Sequence, residues 1–372
     1  MKINKSKGAI EKLLFLAGIK INGKNPWDVQ VHNEDVYRRI LFGGSLALGE
    51  SYMDGWWDCE KLDEFFYRVM KADLVKEISK RKLIILFLIA NVFNLQSRRR
   101  AFQIGEKHYD NGNDLYKIML DKRLTYTCGY WKDAKDLDSS QEAKLDLICK
   151  KLDLKKGDNV LDIGCGWGSF LKYASEKYGI KGVGITVSKE QVKLAKELCN
   201  GLNIEIKLQD YRDVNGKFDH IVSIGMFEHV GVKNYREYME IVNKNLNDNG
   251  LFLLHTIGNR ASKKTGDPWI LKYIFPNSML PSIKQVGDSI ENLFVMEDWH
   301  NFGANYDKTL MAWHKNFEKG WSKIENNYDE RFHRMWRYYL LSVAGSFRAR
   351  KAQLWQIVFS KNGVAGGYQS VR

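Results

Sequence analysis

The chain has 372 residues, of which 44% are hydrophobic and 28% charged, and it contains only four prolines. This composition excludes a disordered chain, and the length exceeds the roughly 250 to 300 residues at which single hydrophobic cores stop growing, so we expect two domains. The formal net charge of +13 implies an anionic partner, which could be nucleic acid, an anionic bilayer surface or a phosphorylated small molecule. The first 105 residues are the most densely basic part, with 18 Lys and Arg against 12 Asp and Glu.

The five cysteines are scattered along the chain and form no CxxC pair. This spacing argues against both a disulfide framework and a zinc site, so no metal is expected. The amino terminus is basic but lacks the continuous apolar stretch of a secretory signal. A cytoplasmic setting is therefore predicted. The cysteines are Cys59, Cys128, Cys149, Cys165 and Cys199.

Residues 1–95 have the pattern of helices and turns, interrupted at Gly43 and Gly44, and predict a small helical domain that contacts lipid or membrane. A linker is expected over residues 96–105. The remaining residues, 106–372, are expected to form the catalytic domain.

An apolar run closes the helical domain, from Leu83 to Leu95, with basic residues on both sides at 80–82 and 98–100. Its uninterrupted apolar part is well short of the roughly 20 residues needed to cross a bilayer. Two interpretations are open. The run is either a buried core helix with solvated ends, or an apolar patch that enters the headgroup region while Lys and Arg contact anionic lipid.

From Asn159 onward, five short apolar, β-branched segments alternate with helical stretches. This order predicts an α/β fold: a doubly wound, mostly parallel, Rossmann-like sheet with helices on both faces. Ser188 and Gln191 make a plausible capping box for one of the helices. After about residue 300 the sequence is aromatic-rich and mainly helical, as a lid or tunnel wall would be. The five segments are NVLDIGCG, KGVGITVS, IEIKLQD, FDHIVSIGM and GLFLLHTIG.

A glycine-rich turn at 162–168, DIGCGWG, follows the first strand and opens a helix. Glycines let the backbone approach a ligand closely, and the helix start supplies free N–H groups. A dinucleotide fingerprint would need glycine where Ser169 stands and an acid at the end of the second strand, which is absent. Asp162 and Asp210 instead suit a positively charged, amino-bearing ligand, so the turn resembles the class I methyltransferase loop. A tight turn without a ligand is the alternative.

Several uncommon strings accumulate along the chain. Together with VLDIGCGWG, QDYRD and FRAR, they closely resemble the bacterial cyclopropane-fatty-acyl-phospholipid synthase family, from about Glu106 to the end. The strings are YTCGYW at 126–131, GMFEHVG at 225–231, LLHTIG at 253–258 and MEDWHNFGANYDKTLMAW at 296–313.

The resemblance implies transfer of a methylene group from S-adenosylmethionine to the cis double bond of unsaturated phospholipid acyl chains, with bicarbonate as the base. It also implies a homodimer at the inner, anionic face of the cytoplasmic membrane. The bicarbonate residues would be Cys128, Glu228, His255, Tyr306 and the main chain of Ile257. The cofactor residues would be Tyr126, Thr127, Asp162, Gly164, Gly166, Gly168, Thr186, Gln191, Gln209, Asp210, Tyr211 and Ile224.

The residue types fit an anion site, because hydroxyl, imidazole, thiol and backbone groups donate while Glu228 accepts from the hydroxyl of bicarbonate. Each also has a simpler explanation. Cys128 could be a small buried hydrophobe, and Tyr306 an ordinary amphipathic tyrosine. One departure from the family is Val343, where members often carry a cysteine, so a covalent thioether at that position is excluded. Cys165 is expected to be a small spacer.

Three rival functions are considered. One is a related methyltransferase that leaves a methyl branch, although plain heteroatom methylation needs no base beside the methyl group. Another is a nucleic-acid-binding or nucleic-acid-modifying protein, but the chain has neither the Pro-Pro pair nor the Pro-Cys pair of base methyltransferases, so no nucleic acid is expected. The third is a membrane-binding scaffold without catalysis.

Overall fold

The computed structural model describes residues 3–72 and 112–372. The predicted linker, the apolar run at 83–95 and the basic residues at 98–100 lie outside the described residues. Within those two ranges, no helix combines the length and apolar character needed to cross a bilayer.

The amino-terminal segment is helical, as predicted, and carries one two-stranded antiparallel ribbon. Its middle helix bends at the predicted Gly43–Gly44 position, where Gly44 takes φ 60° inside the helix. Left-handed φ is accessible to glycine without steric cost. The elements are α1 (Ile3–Leu16), β1 (Gln30–Val31), α2 (Asp35–Met53), β2 (Trp57–Asp58) and α3 (Leu62–Lys71).

The main sheet has seven strands in the order β5-β4-β3-β6-β7-β9-β8. Strands β3 to β7 are the five predicted segments, and all of them pair in parallel. The chain reverses the strand order beside β3, which is where ligands bind in doubly wound sheets. The strands are β3 (Asn159–Ile163), β4 (Lys181–Thr186), β5 (Ile204–Leu208), β6 (Phe218–Ile224), β7 (Leu246–Asn259), β8 (Val295–Asn301) and β9 (Ala352–Ser360).

Helices cover both faces of this sheet and form most of the last 70 residues. They are α4 (Asn113–Met119), α5 (Leu137–Lys151), α6 (Ser169–Tyr178), α7 (Lys189–Leu198), α8 (Tyr235–Asn245), α9 (Pro268–Tyr273), α10 (Ile283–Ile290), α11 (Ala304–Gly320) and α12 (Glu330–Arg348).

Sequence analysis missed the two antiparallel strands, β8 and β9, because the end of the chain was expected to be mainly helical. Strand β9 lies between β7 and β8, and nearly all of its residues are buried. A strand covered on both faces shows no alternation of polar and apolar residues, so the signal that marks half-buried strands is absent.

The amino-terminal helices share a hydrophobic core with the carboxyl-terminal helix α12. The ring centroids of Tyr52 and Tyr338 are 5.5 Å apart, and those of Phe66 and Tyr338 are 5.1 Å apart. Gly345 of α12 lies so close to the backbone of α3 that a Cβ there would be 2.6 Å from the carbonyl oxygen of Asp63. The amino-terminal helices therefore help to fix α12, which packs beside the candidate site.

Candidate active site

One cavity opens at the carboxyl ends of the parallel strands β3, β4, β5 and β6. It brings together eleven of the twelve residues that the sequence assigns to the cofactor. The fold thus gathers motifs that are up to 98 positions apart onto one surface. The eleven are Tyr126, Thr127, Asp162, Gly164, Gly166, Thr186, Gln191, Gln209, Asp210, Tyr211 and Ile224.

The glycines of the turn have distinct roles. Gly164 has φ 85°, and a Cβ there would be 2.7 Å from the side chain of Met226. Gly166 has φ 56° and open space around the position of a Cβ, so the backbone can approach a ligand there. Gly168, the twelfth predicted residue, does not line the cavity. It precedes α6 with φ 80°, and a Cβ would be 2.9 Å from Cys199 Sγ, so it serves close packing.

Two oppositely charged, buried side chains line the cavity: Asp162 at the end of β3 and Lys144 on α5. Burial raises the pKa of Asp162 to about 7 and lowers the pKa of Lys144 to about 8. Lys144 Nζ donates to Thr127 Oγ1 over 2.9 Å. Sequence analysis missed Lys144. The available signal is its place on the apolar face of α5, at helical spacing from Gln141 and Ile148.

The opposite part of the cavity is held by local hydrogen bonds. Asp210 follows β5, as predicted, and accepts from Arg212 N over 2.9 Å and from Arg212 Nη1 over 3.1 Å. The side chain of Ser188 accepts from Gln191 N, as a helix cap does. The hydroxyl of Thr186 donates to Gln191 Oε1 over 2.7 Å and so fixes the amide orientation. These hydrogen bonds hold the polar side chains of the cavity wall in defined orientations.

Glu228 lies in a short turn after β6, next to cavity-lining residues. Its Oε1 accepts from the main-chain N–H of Ile257 over 2.7 Å, so Glu228 engages the N–H that the sequence assigns to the anion. Among the described residues, the buried Oε2 has no hydrogen-bond partner of normal geometry. Burial raises the pKa of Glu228 to about 7, although the hydrogen bond from Ile257 opposes the shift.

His255 lies on β7, level with Ile224 at the end of β6. Its Nδ1 is 3.3 Å from Nε2 of Gln356, the residue directly opposite on β9. Within the described part of the chain, Nε2 of His255 is buried and unpaired. Burial, together with the cations Lys144 and Lys151, lowers the pKa of His255 well below its usual value, so the ring is neutral. Sequence analysis missed Gln356 because it lies in the strand that was not predicted.

Tyr306 lies on helix α11, and Cys128 contacts the same helix. The thiol of Cys128 is fully buried, 3.7 Å from Thr309 Oγ1, and burial raises its pKa well above the usual value. The thiol is therefore protonated and can act only as a donor or a packing group. Tyr306 lies one turn before Thr309, and its ring packs 4.6 Å from that of Phe347. It is buried, unlike an ordinary surface tyrosine.

The five predicted catalytic residues thus form two groups, one around β7 and one around α11. Phe302 lies just before α11, and its ring centroid is 5.8 Å from that of His255. We call Cys128, Glu228, His255, Ile257 and Tyr306 the catalytic cluster.

Comparison with known proteins identifies the family. The sequence model of the family described as mycolic acid cyclopropane synthetase matches residues 96–357. The chain belongs to this family. It is also 55% identical, over 97% of its own length and 94% of the relative, to the cyclopropane-fatty-acyl-phospholipid synthase of Escherichia coli K12. A probable fatty acid methyltransferase of Pseudomonas putida is 37% identical over 68% of each chain.

Solved structures of cyclopropane synthases share the fold. The cyclopropane synthase MmaA2 of Mycobacterium tuberculosis has 28% identity and a TM-score of 0.66, with 70% of this chain and 98% of that chain covered. The mycolic acid cyclopropane synthase CmaA1, complexed with SAH and CTAB, has 31% identity, the same TM-score and the same coverage. Val343 stands at the position where a cysteine was expected from the family resemblance. Its side chain packs, partly buried, against the core and carries no thiol.

Proposed function

We propose that this chain forms cyclopropane rings on the unsaturated acyl chains of phospholipids, with S-adenosylmethionine as the donor. Family membership and the high identity to the E. coli synthase over nearly the whole chain support an S-adenosylmethionine-dependent cyclopropanating enzyme. The observation that carries the assignment is structural: a cavity with the glycine-rich turn lies beside two buried side-chain atoms, Glu228 Oε2 and His255 Nε2, that have no hydrogen-bond partner among residues 3–72 and 112–372.

The reaction balances as follows. S-adenosylmethionine supplies an electrophilic methyl group on a sulfonium. The π electrons of the alkene form the new C–C bond while the C–S bond breaks toward sulfur, which leaves S-adenosylhomocysteine and a carbocation on the lipid. A base then removes a proton from the former methyl group, and the C–H electron pair closes the ring.

We propose bicarbonate as that base, held by the catalytic cluster. Glu228 Oε2 and His255 Nε2 have no hydrogen-bond partner in the part of the chain that the structure describes, so the first can accept from the hydroxyl of bicarbonate and the second can donate to one of its oxygens. The second role requires the proton of the neutral ring to be on Nε2. If the Gln356 amide donates an N–H to Nδ1, it holds the ring in that tautomer. In a site closed to water, such preorganised groups lower the barrier most where charge develops.

Aromatic rings beside the site support a cationic reaction path. Tyr126, which lines the cavity, has its ring centroid 5.2 Å from that of Trp313 and 6.3 Å from that of Phe275. Phe275 in turn lies 5.9 Å from the ring of His229, another cavity residue. Aromatic faces stabilise a nearby cation and exclude water that would otherwise trap it as an alcohol.

The test is incubation of the purified protein with labelled S-adenosylmethionine and vesicles of oleoyl phospholipid, followed by analysis of the fatty acids. A product heavier by one CH2 that resists mild hydrogenation of double bonds is the expected ring. A product of the same mass that carries a methyl branch would support the rival methyltransferase. Unaltered oleoyl lipid, with cofactor binding intact, would overturn the proposal.

We also propose that the amino-terminal domain binds the anionic inner face of the cytoplasmic membrane and that the protein works as a homodimer. The basic amino-terminal part and the exposed Phe15, Leu16 and Phe42 of α1 and α2 support membrane contact. Replacement of Arg98, Arg99 and Arg100 by serine should weaken binding to anionic vesicles, chiefly at low salt. Binding that ignores lipid charge would reject the surface, and sedimentation as a monomer would reject the dimer.

A further inference from the structure

The two buried lysines of helix α5 occupy different electrostatic environments. Lys144 and Lys151 are seven residues apart on one face of the helix, and both side chains are fully buried. Lys151 Nζ lies 3.5 Å from Asp298 Oδ2 and 3.2 Å from His300 Nδ1, so its charge is compensated within the protein. Lys144 makes no such ion pair: among the described residues, no carboxylate oxygen lies within 4.0 Å of its Nζ, and Asp121 and Asp162 attract it only from farther away.

Lys144 also has unused hydrogen-bonding capacity. An ammonium group carries three N–H donors, and the hydrogen bond that the structure shows takes one of them to Thr127 Oγ1. A buried, uncompensated ammonium is costly unless a partner arrives. Since Lys144 lines the cofactor cavity, that partner can be a bound ligand.

The cavity offers the matching opposite charge. Asp162 lines the same cavity, is 2% exposed, and its buried Oδ1 has no partner in the described ranges. Arg212, another cation of the cavity wall, already contacts both carboxylate oxygens of Asp210 at 3.1 Å. A basic and an acidic group that share one cavity, and that make no direct ion pair among the described residues, complement a zwitterionic amino-acid group with its carboxylate and its ammonium.

We propose that Lys144 binds the α-carboxylate of the methionine portion of S-adenosylmethionine, while Asp162 faces the α-ammonium. The proposal rests on the cofactor part of the proposed function and requires neither bicarbonate nor lipid. Thr127 then acts as a positioning residue, because its hydroxyl accepts from Lys144 and fixes the direction of the ammonium.

The test compares two ligands by calorimetry: S-adenosylmethionine and its decarboxylated form, which keeps the sulfonium and the amino group but lacks the carboxylate. Lys144→Met should weaken the binding of S-adenosylmethionine by about 10- to 100-fold, which is the contribution of a hydrogen bond to a charged group. The same substitution should leave the affinity for the decarboxylated ligand within about threefold of its value in the unsubstituted protein, which is the change expected from small packing differences.

Lys151→Met is the matched control, since Lys151 lies on the same helix, is equally buried and is not among the cavity-lining residues. It should bind both ligands as the unsubstituted protein does. Thermal melting of each variant shows whether it folds. If Lys144→Met does not fold, the unsubstituted protein can still overturn the proposal, because equal binding of S-adenosylmethionine and the decarboxylated ligand would show that the carboxylate is not bound.

The proposal is overturned if the unsubstituted protein binds the two ligands equally, or if folded Lys144→Met binds S-adenosylmethionine as tightly as before. An equal loss of affinity for both ligands in Lys144→Met would also overturn the proposal, since it would indicate a structural role for Lys144. Failure of the proposed function would look different, with cofactor bound normally and no ring formed on the lipid.

Discussion

The cofactor cavity and the catalytic cluster lie side by side but differ in construction. The cavity is made mainly of turns that follow parallel strands, and it holds two buried titratable groups of opposite type, Lys144 and Asp162, that make no direct ion pair within the described residues. The cluster is made of residues from a turn, a strand, a loop and a helix, and within the described part of the chain its Glu228 and His255 each keep one buried side-chain atom without a hydrogen-bond partner. One region is suited to hold a charged cofactor, and the other to move a proton.

If this division is correct, the two regions can be damaged separately. Glu228→Gln and Tyr306→Phe should each lower turnover by about 100- to 10,000-fold, the usual contribution of acid–base groups. Affinity for S-adenosylmethionine should remain nearly unchanged, because neither side chain lines the cofactor cavity. Product formation and calorimetry on the same preparations measure the two effects.

Glu240→Gln is a suitable control for that prediction, since Glu240 is an exposed acid on α8 that pairs only with Arg236 in the described part of the chain. Unchanged turnover in both cluster variants would reject the anion site. A large loss of cofactor affinity would show that the two regions are not separable.

A smaller effect on turnover is expected when Gln356, the residue opposite His255 on β9, is substituted. Gln356→Leu removes the group that faces Nδ1, so the neutral ring is free to place its proton on either nitrogen, and turnover should fall roughly 10-fold. The 15N chemical shifts of His255 report the tautomer directly. They should show the proton on Nε2 in the unsubstituted protein and a mixture in the variant.

Gln353→Leu is the matched substitution on the same strand, because Gln353 contacts Asn301 and Trp355 and not His255. It should change neither the tautomer nor turnover. A ring that carries its proton on Nδ1 in the unsubstituted protein would contradict the assignment of His255 as a donor.

A further effect concerns the cofactor cavity alone. Since the pKa of Asp162 is raised to about 7, its carboxyl group gains a proton as the pH falls through that value and loses attraction for the α-ammonium of the cofactor. Affinity for S-adenosylmethionine should therefore decrease by up to about tenfold per pH unit below pH 7. Calorimetry between pH 5.5 and 7.5 measures this, and Asp162→Asn should abolish the dependence. A flat profile in the unsubstituted protein would place the cofactor ammonium elsewhere.

The sequence alone determined much of the cofactor half. Strands β3 to β7, the glycine-rich turn and the placement of Asp162 and Asp210 after strands could be predicted, because a parallel sheet leaves strong local signals and brings the carboxyl ends of its strands to one edge. The family strings added the names of the cluster residues, but no local rule indicated that Cys128 and Tyr306 would be buried around the same helix.

Only the tertiary structure decided how the cluster is supported. Strand β9 has no alternation of polar and apolar residues. The sequence therefore did not predict the strand or the contact of Gln356 with His255. Lys144 and Lys151 are the same residue type on the same face of one helix. In the structure, however, Lys144 lines the cavity and Lys151 pairs with Asp298. The difference depends on which segments pack beyond each side chain, and charge compensation at a buried site is set by such neighbours in space.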